Sequence, residues 1–457
     1  MADPQTYLEQ QSERYYDDLL SLLRIPSIST DPARAADVRA TAEWVAERMR
    51  AAGLEGVRLL ETAGHPAVYG QWLGAPDGPT LLFYGHYDVQ PPDPLDEWVS
   101  PPFEPTLREG RLYARGADDM KGNLLLPIVA CEAWLRTGGA LPVNVKFVFE
   151  GEEEIGSPHF GDLLAEHQAL LACDRAICTD GGQLAEDQPT VGVGTRGIAA
   201  AEIHVRTANT DLHSGLAGGL APNPIHVLAN LLATMISADG RITVDGFYDE
   251  VIPPSAEERA AIAAVPDDSS LLQDRSGLRG LVGEAGYTAM ERNSARPTLE
   301  VNGIWGGYQG AGTKTVIPAE AHAKITCRLV PDQEPAGVIE HLREHVARHA
   351  PAFAEATVVT LPGSSDPFLV PGDEPTLLAA EHVLEGLYGR APYRTRSGGS
   401  VGALPLLRRY LGVSAVTIGF GLAAGGAHAP NEFLPLDLWR RGQRVYAMLL
   451  DALAEQD

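Results

Sequence analysis

Residues 81–92 read LLFYGHYDVQPP, and the interpretation of the chain turns on them. An apolar run, Leu81 to Tyr84, stops at Gly85 and at once delivers His86 and Asp88. A buried strand that ends on two potential metal ligands is how α/β proteins place chemistry at the carboxyl edge of a sheet. A His-x-Asp pair is also common as a structural hydrogen bond, so its weight comes from the company it keeps along the chain. Four further segments put carboxylates or a histidine at a strand end or in the loop after one. LYARGADDMKG (112–122) carries Asp118 and Asp119, and FVFEGEEEIGS (147–157) carries Glu152, Glu153 and Glu154. AICTDGG (176–182) carries Asp180, and GGAHAPNE (425–432) carries His428.

Outward from these segments the pattern is that of an α/β protein. Residues 5–24 and 34–53 read as amphipathic helices, the second through Val38, Ala42, Val45 and Met49. Strands are predicted at 67–73, 80–85, 143–150 and 174–179, with a helix over 120–136, an alternation that favours an open, largely parallel sheet flanked by helices. The texture then changes. A strand over 197–207 and a helix over 222–237 precede a polar, irregular stretch, 238–296. Strands at 298–306, 321–330 and 356–362 come next, with a helix at 335–349, which together form a compact α+β insertion. The first texture returns with helices at 375–389 and 398–411, the strand VSAVTIGFG (413–421) and a terminal helix, 435–455. The expected organisation is a discontinuous catalytic domain, 1–196 and 366–457, interrupted by a lid, 197–365.

Composition narrows the classes of function. Of 457 residues, 44% are hydrophobic and 21% charged, as in a soluble globular protein, and two domains suit the length. No apolar run approaches the ~20 residues that cross a bilayer, and the polar, acidic start predicts no secretory signal. Cys131, Cys173, Cys178 and Cys327 lack CxxC spacing, which disfavours a disulfide framework or a thiolate-bound zinc and fits a reducing cytoplasm. A net charge of −26 repels nucleic acid and anionic membranes, so neither is an expected partner.

Two histidines with several carboxylates and no cysteine suit zinc, manganese or cobalt. A carboxylate shared between two ions, with one histidine and one carboxylate for each, makes a two-metal centre in which ions about 3.5–4 Å apart polarise a carbonyl together. Asp118 and Asp119 could equally cap the next helix, and three consecutive glutamates could equally be a solvated face. Residue chemistry does not choose among the three.

The segments GHYDVQPP, YARGADDMKG, EGEEEIGS, TDGG and GGAHAPNE resemble, in order, the metal motifs of the dinuclear metallopeptidase family that contains carnosinase, carboxypeptidase G, aminoacylase and succinyl-diaminopimelate desuccinylase. The resemblance implies a catalytic α/β domain with an inserted lid that mediates dimerisation. It implies Asp119 as bridging carboxylate, His86 and Asp180 on one ion, Glu154 and His428 on the other, and Glu153 as general base. Asp88 would orient His86, and the peptide after Asp119 would be cis. NTDLHSGLAGG (209–219) resembles the loop of the carnosinase-like branch whose histidine, here His213, reaches the partner subunit's site and serves the oxyanion. In the lid, Thr315 would touch the substrate backbone and Arg328 would clamp its carboxylate, joined by Ser400 of SGGSVGA. After the last lid strand the chain departs from that branch, with GSSDPFLVP (363–371) in place of a His-containing segment.

The implied activity is a metal-dependent dipeptidase for small peptides with a free C-terminal carboxylate, working as a homodimer with two divalent ions, zinc foremost, per subunit. The alternative is a deacylase that removes acetyl, succinyl or carbamoyl groups from amino acids with the same metal chemistry. A one-metal zincin would need His-Glu-x-x-His, which is absent.

Overall fold

A computed structural model describes residues 3–267 and 269–454. Glu455 of the expected terminal helix and the outermost residues of the expected catalytic domain lie outside them. The chain divides into two compact units: Met1–Val193 with Val370–Thr395 and Val401–Asp457, and Gly194–Leu369 with Arg396–Ser400.

The first unit is built on a sheet whose strands run Glu55–Leu60, Ala67–Trp72, Asn144–Glu150, Thr80–His86, Arg175–Cys178, Ala415–Thr417 and Thr190–Thr195 in spatial order. The four strands from Asn144–Glu150 to Ala415–Thr417 are mutually parallel, and the outer ones pair antiparallel. Strands covered on both faces need apolar side chains at every position, not at alternate ones. Asn144–Glu150 is accordingly buried at all seven residues, and Thr80–His86 at six of seven. Phe83 stacks on Phe147 with ring centroids 5.0 Å apart. The helix Ala35–Ala52 buries Val38, Ala42, Val45 and Met49, and the helices Gly122–Gly138 and Leu436–Ala454 add two further apolar faces. Because the central strands are parallel, the chain leaves each at the same edge, at His86, Glu150, Cys178 and Thr417.

Three local expectations are corrected. The helix over 5–24 divides at Gln11, whose φ of −98° and ψ of 6° leave helical geometry. The helix near 120 begins at Gly122, because Asp119 and Met120 have non-helical backbone and are joined by a cis peptide, the one the family resemblance implies. The helix over 398–411 begins at Ala403, after a strand, Tyr393–Ser397.

The second unit carries a four-stranded antiparallel sheet in the order Thr298–Gly306, Glu320–Leu329, Gly197–Arg206, Glu355–Thr360. Its strands alternate. Ala199, Ala201, Ile203 and Val205 face Val227, Leu228 and Leu231 of the helix Pro224–Ala233, and Val338, Ile339 and Leu342 of the helix Pro335–His349. Glu202, His204, His322, Lys324 and Arg328 occupy the opposite face. The described residues of the polar stretch 238–296 form three short helices, Ala256–Ala264, Ser269–Ser276 and Ala289–Ser294.

Candidate metal centre

His86 is the last residue of its strand and is fully buried. Its Nδ1 lies 3.1 Å from the Asp88 carbonyl oxygen, and its Nε2 lies 3.2 Å from Asp119 Oδ1 and 3.8 Å from Asp180 Oδ2. From the Gly-rich loop near the C-terminus, His428 Nε2 lies 3.0 Å from Asp119 Oδ2 and 3.1 Å from Glu154 Oε2. Asp119 thus offers one oxygen to each imidazole. Two triads result, His86–Asp119–Asp180 and Asp119–Glu154–His428, each with its donor atoms within 4.8 Å of one another.

The electrostatics identify what such a cluster can hold. Burial pushes the Asp180 carboxyl up to about 7, with the Asp119 charge adding to the effect and His86 opposing it. Burial raises Asp119 too, but the bonds to His428 and His86 outweigh it and hold that carboxyl well below the usual range. Asp119 and Glu154 raise His428 to about 10. His86 Nε2 is buried without a well-formed hydrogen bond. An orphaned imidazole nitrogen among crowded carboxylates is the donor set that divalent cations satisfy. The residues fit two such ions.

Asp88 serves both sides of the site. It lies against His86 and accepts the backbone N–H groups of Glu153 at 3.3 Å and Glu154 at 3.1 Å. The structure also separates the three glutamates. Glu152 is buried and paired with His159, 2.8 Å away, so it turns from the cluster. Glu154 joins the second triad and accepts from Gln90 Nε2 at 2.9 Å. Glu153 remains, its carboxyl raised well above the usual range by burial, with Asp180, Glu154 and Glu150 reinforcing the shift and His86 opposing it.

Several residues support the site in ways that the sequence did not assign to them. Fully buried Glu432 accepts from Arg115 Nη1 at 2.6 Å and from the N–H groups of Gly116, Asp118 and Asp119 at 2.9, 2.8 and 3.0 Å. It pins the loop that presents Asp119. Asp118 instead faces the C-terminal loop, accepting from Leu422 N–H at 2.9 Å. A Cβ on Gly421 would sit 1.9 Å from its Oδ1, so only glycine admits that approach. Asn123 ties the Asp180 loop to the segment that follows the strand Ala415–Thr417, donating to Gly181 O at 2.9 Å and accepting from Phe420 N–H at 2.7 Å. Glu432 lies inside the GGAHAPNE motif that drew attention to His428, and that was its only signal.

The α+β unit assembles two pairs of the remaining candidates. His213 and Thr315 lie on neighbouring segments, exposed, with Ser214 N–H donating to Thr315 O at 3.0 Å. His213 Nδ1 accepts from Gly215 N–H at 3.0 Å. Arg328 Nη1 donates to Ser400 Oγ at 2.9 Å, and Ser400 donates to Arg196 O at 2.6 Å. Burial lowers the Arg196 guanidinium to about 10, and the charge of Arg328 adds to the effect.

Residues 82–452 match the model of peptidase family M20/M25/M40. The chain belongs to that family. It is a metallopeptidase, and relatives named as dipeptidases match it over most of its length. The human Beta-Ala-His dipeptidase is 29% identical over 85% of this chain and 78% of its own length. A Cys-Gly metallodipeptidase of Schizosaccharomyces pombe is 28% identical over 98% of this chain and 97% of its own. The crystal structure of an M20 family metallo-carboxypeptidase from Sulfolobus solfataricus superposes with a TM-score of 0.82 at 32% identity, covering 95% of this chain and 98% of that one.

Proposed function

We propose that this M20 metallopeptidase is a metal-dependent dipeptidase that cleaves the amide bond of small peptides with a free C-terminal carboxylate. The observation that carries the reading is Asp119, one carboxylate shared between two His-plus-carboxylate triads. In our assignment His86, Asp119 and Asp180 hold one divalent cation, and Asp119, Glu154 and His428 the other. Zinc is the ion we favour, with manganese or cobalt as alternatives. Such a pair of ions, when bound, supplies Lewis acidity toward the scissile carbonyl and toward a water molecule.

The chain's own residues do the rest. Glu153, a carboxyl whose basicity burial has raised, takes the proton of the attacking water and returns it to the leaving amine. Asp88 fixes the ring of His86 and the turn bearing Glu153, so base and ligand share one anchor. Arg328 takes the substrate carboxylate through its planar fork, with Ser400 as a further donor. Thr315 contacts the substrate backbone. His213 donates to the oxyanion of the partner subunit's site, which makes the active form a homodimer.

An apolar groove of about 960 Å³ within the α+β unit supports that last assignment. It is lined by Leu220, Val227, Leu231, Ile317 and Phe353, next to the His213 loop. Leu216 and Leu220 are more than three-quarters exposed there, apolar area that a second subunit would cover. Among the described residues no helix is long and apolar enough to cross a membrane.

The test is hydrolysis of a panel of dipeptides, a tripeptide, and N-acetyl and N-succinyl amino acids by chelated and by metal-reloaded protein. Metal-dependent cleavage of dipeptides supports the reading. Cleavage of acyl amino acids alone would replace it with the deacylase and remove the role given to Arg328.

A further inference from the structure

The sheet of the α+β unit packs one face on helices, and the other face carries a second, unrelated cluster of donors. The antiparallel register sets His204 directly opposite His322, with Glu202 two residues away on the same face. Opposed residues in such a pair hold their Cβ atoms about 4.5–5.5 Å apart, a spacing from which two imidazoles converge in front of the sheet. Here the rings lie 4.8 Å apart at 83°, and Glu202 Oε1 is 2.8 Å from His204 Nε2. One donor atom from each of the three residues falls within 4.8 Å of the others.

A separate observation points to a ligand. His322 Nδ1 is buried and has no hydrogen-bond partner, while Trp305, 5.1 Å away and tilted by 16°, stacks on the ring and fixes its plane. A polar nitrogen held rigid and unsatisfied is costly unless something binds it. At the rim, Glu320 Oε2 lies 3.6 Å from His322 Nε2, a second carboxylate that makes the patch favourable to cations. Lys324 Nζ, 3.9 Å from Glu202 Oε2, belongs to a half-exposed side chain that can swing into solvent when a cation arrives.

We propose that Glu202, His204 and His322 form a third cation site, distinct from the two triads around Asp119. Two imidazoles and one carboxylate select borderline divalent ions such as Zn²⁺, Ni²⁺ or Cu²⁺, with water in the remaining positions because the site is open to solvent. The ion displaces any proton shared between His204 and Glu202, with no change of oxidation state. It clips the two central strands of the sheet together, on the same face and the same strand that carry Arg328 six residues further on.

The experiment uses the full-length enzyme with its catalytic ions loaded. Equilibrium dialysis against micromolar Zn²⁺, followed by metal counting, is expected to give one more ion per chain in wild type than in His204→Gln/His322→Gln. Cu²⁺ is expected to quench a component of tryptophan emission that is missing in Trp305→Phe, and that quenching is expected to vanish in His204→Gln. If the double variant does not fold, His204→Gln alone decides, its side chain being 41% exposed; about tenfold or greater weakening of the extra ion is expected. Equal ion counts in wild type and double variant, or unaltered affinity and quenching in His204→Gln, overturn the site. Catalytic activity enters none of these readouts, so the third site and the dipeptidase reading stand or fall separately.

Discussion

Replacing Glu432 with glutamine alters one atom, touches no proposed ligand, and tests whether the Asp119 loop is held from behind. Glu432 Oε2 accepts from Arg115 Nη1 and Gly116 N–H, and Oε1 from the N–H groups of Asp118 and Asp119. A carboxamide has one acceptor oxygen. Whichever way it is placed, its NH₂ group confronts two donors, and two of the four bonds are lost. Arg115, only 1% exposed, also loses its charge partner. Stranding a buried charge in this way costs about 3–5 kcal/mol. Because the abandoned donors include those that set the Asp119 backbone, metal affinity should fall about 10–100-fold although every ligand is intact. The assays are a lowered thermal midpoint of the metal-free protein and a competition titration with a chromogenic chelator. A variant that melts with wild type and binds metal within about twofold of it would refute the argument.

Three other outcomes are expected. Glu153→Gln should lower kcat about 10²–10⁴-fold with metal content unchanged, whereas Glu152→Gln, which loosens only the His159 pair, should lower the melting temperature and spare kcat; equal kcat losses would mean that the base is misassigned. Mixing inactive His213→Ala with inactive Glu153→Gln should restore about a quarter of wild-type activity, since half the dimers are mixed and each of those has one complete site; no recovery after verified subunit exchange would rule out the borrowed histidine. In the metal-free protein His428 is raised to about 10 and Asp180 to about 7, so both carry protons that binding must expel as pH falls below these values. Apparent metal affinity should therefore climb with pH from below 7 toward 10, with net proton release at pH 7 in calorimetry across buffers of different ionisation enthalpy. A pH-independent affinity would contradict the paired geometry.

The parallel core was legible because strands covered on both faces must be apolar throughout, and LLFY and VKFVF announce that without neighbours. The insertion was legible for the opposite reason: GIAAAEIHVR and EAHAKITCRL alternate, the mark of a sheet covered on one side. The short helices between residues 238 and 296 were missed although two carry a capping box, Ser255 with Glu258 and Thr288 with Glu291. Little apolar periodicity succeeds those caps, and a cap alone did not weigh enough against polar composition. At the site, the choice among Glu152, Glu153 and Glu154 rested on resemblance, because three adjacent carboxylates are chemically identical until His159 claims one and Gln90 another. Glu432 and Arg115 could not be paired at all, since nothing local ties residues 317 positions apart.

That separation has a consequence for how the enzyme is made. The strand Ala415–Thr417 lies between Arg175–Cys178 and Thr190–Thr195, so the sheet has an open slot until the end of the chain is supplied. His428 and Glu432 come later still. During synthesis the residues before Ala415 can collapse, but they cannot close the sheet or present Asp119 against its full set of neighbours. In the assignment proposed above, the donor set of the second ion is complete only once His428 has been made, and a chain that presents Asp119, Asp180 and His86 before then would offer passing metal ions a half-built trap.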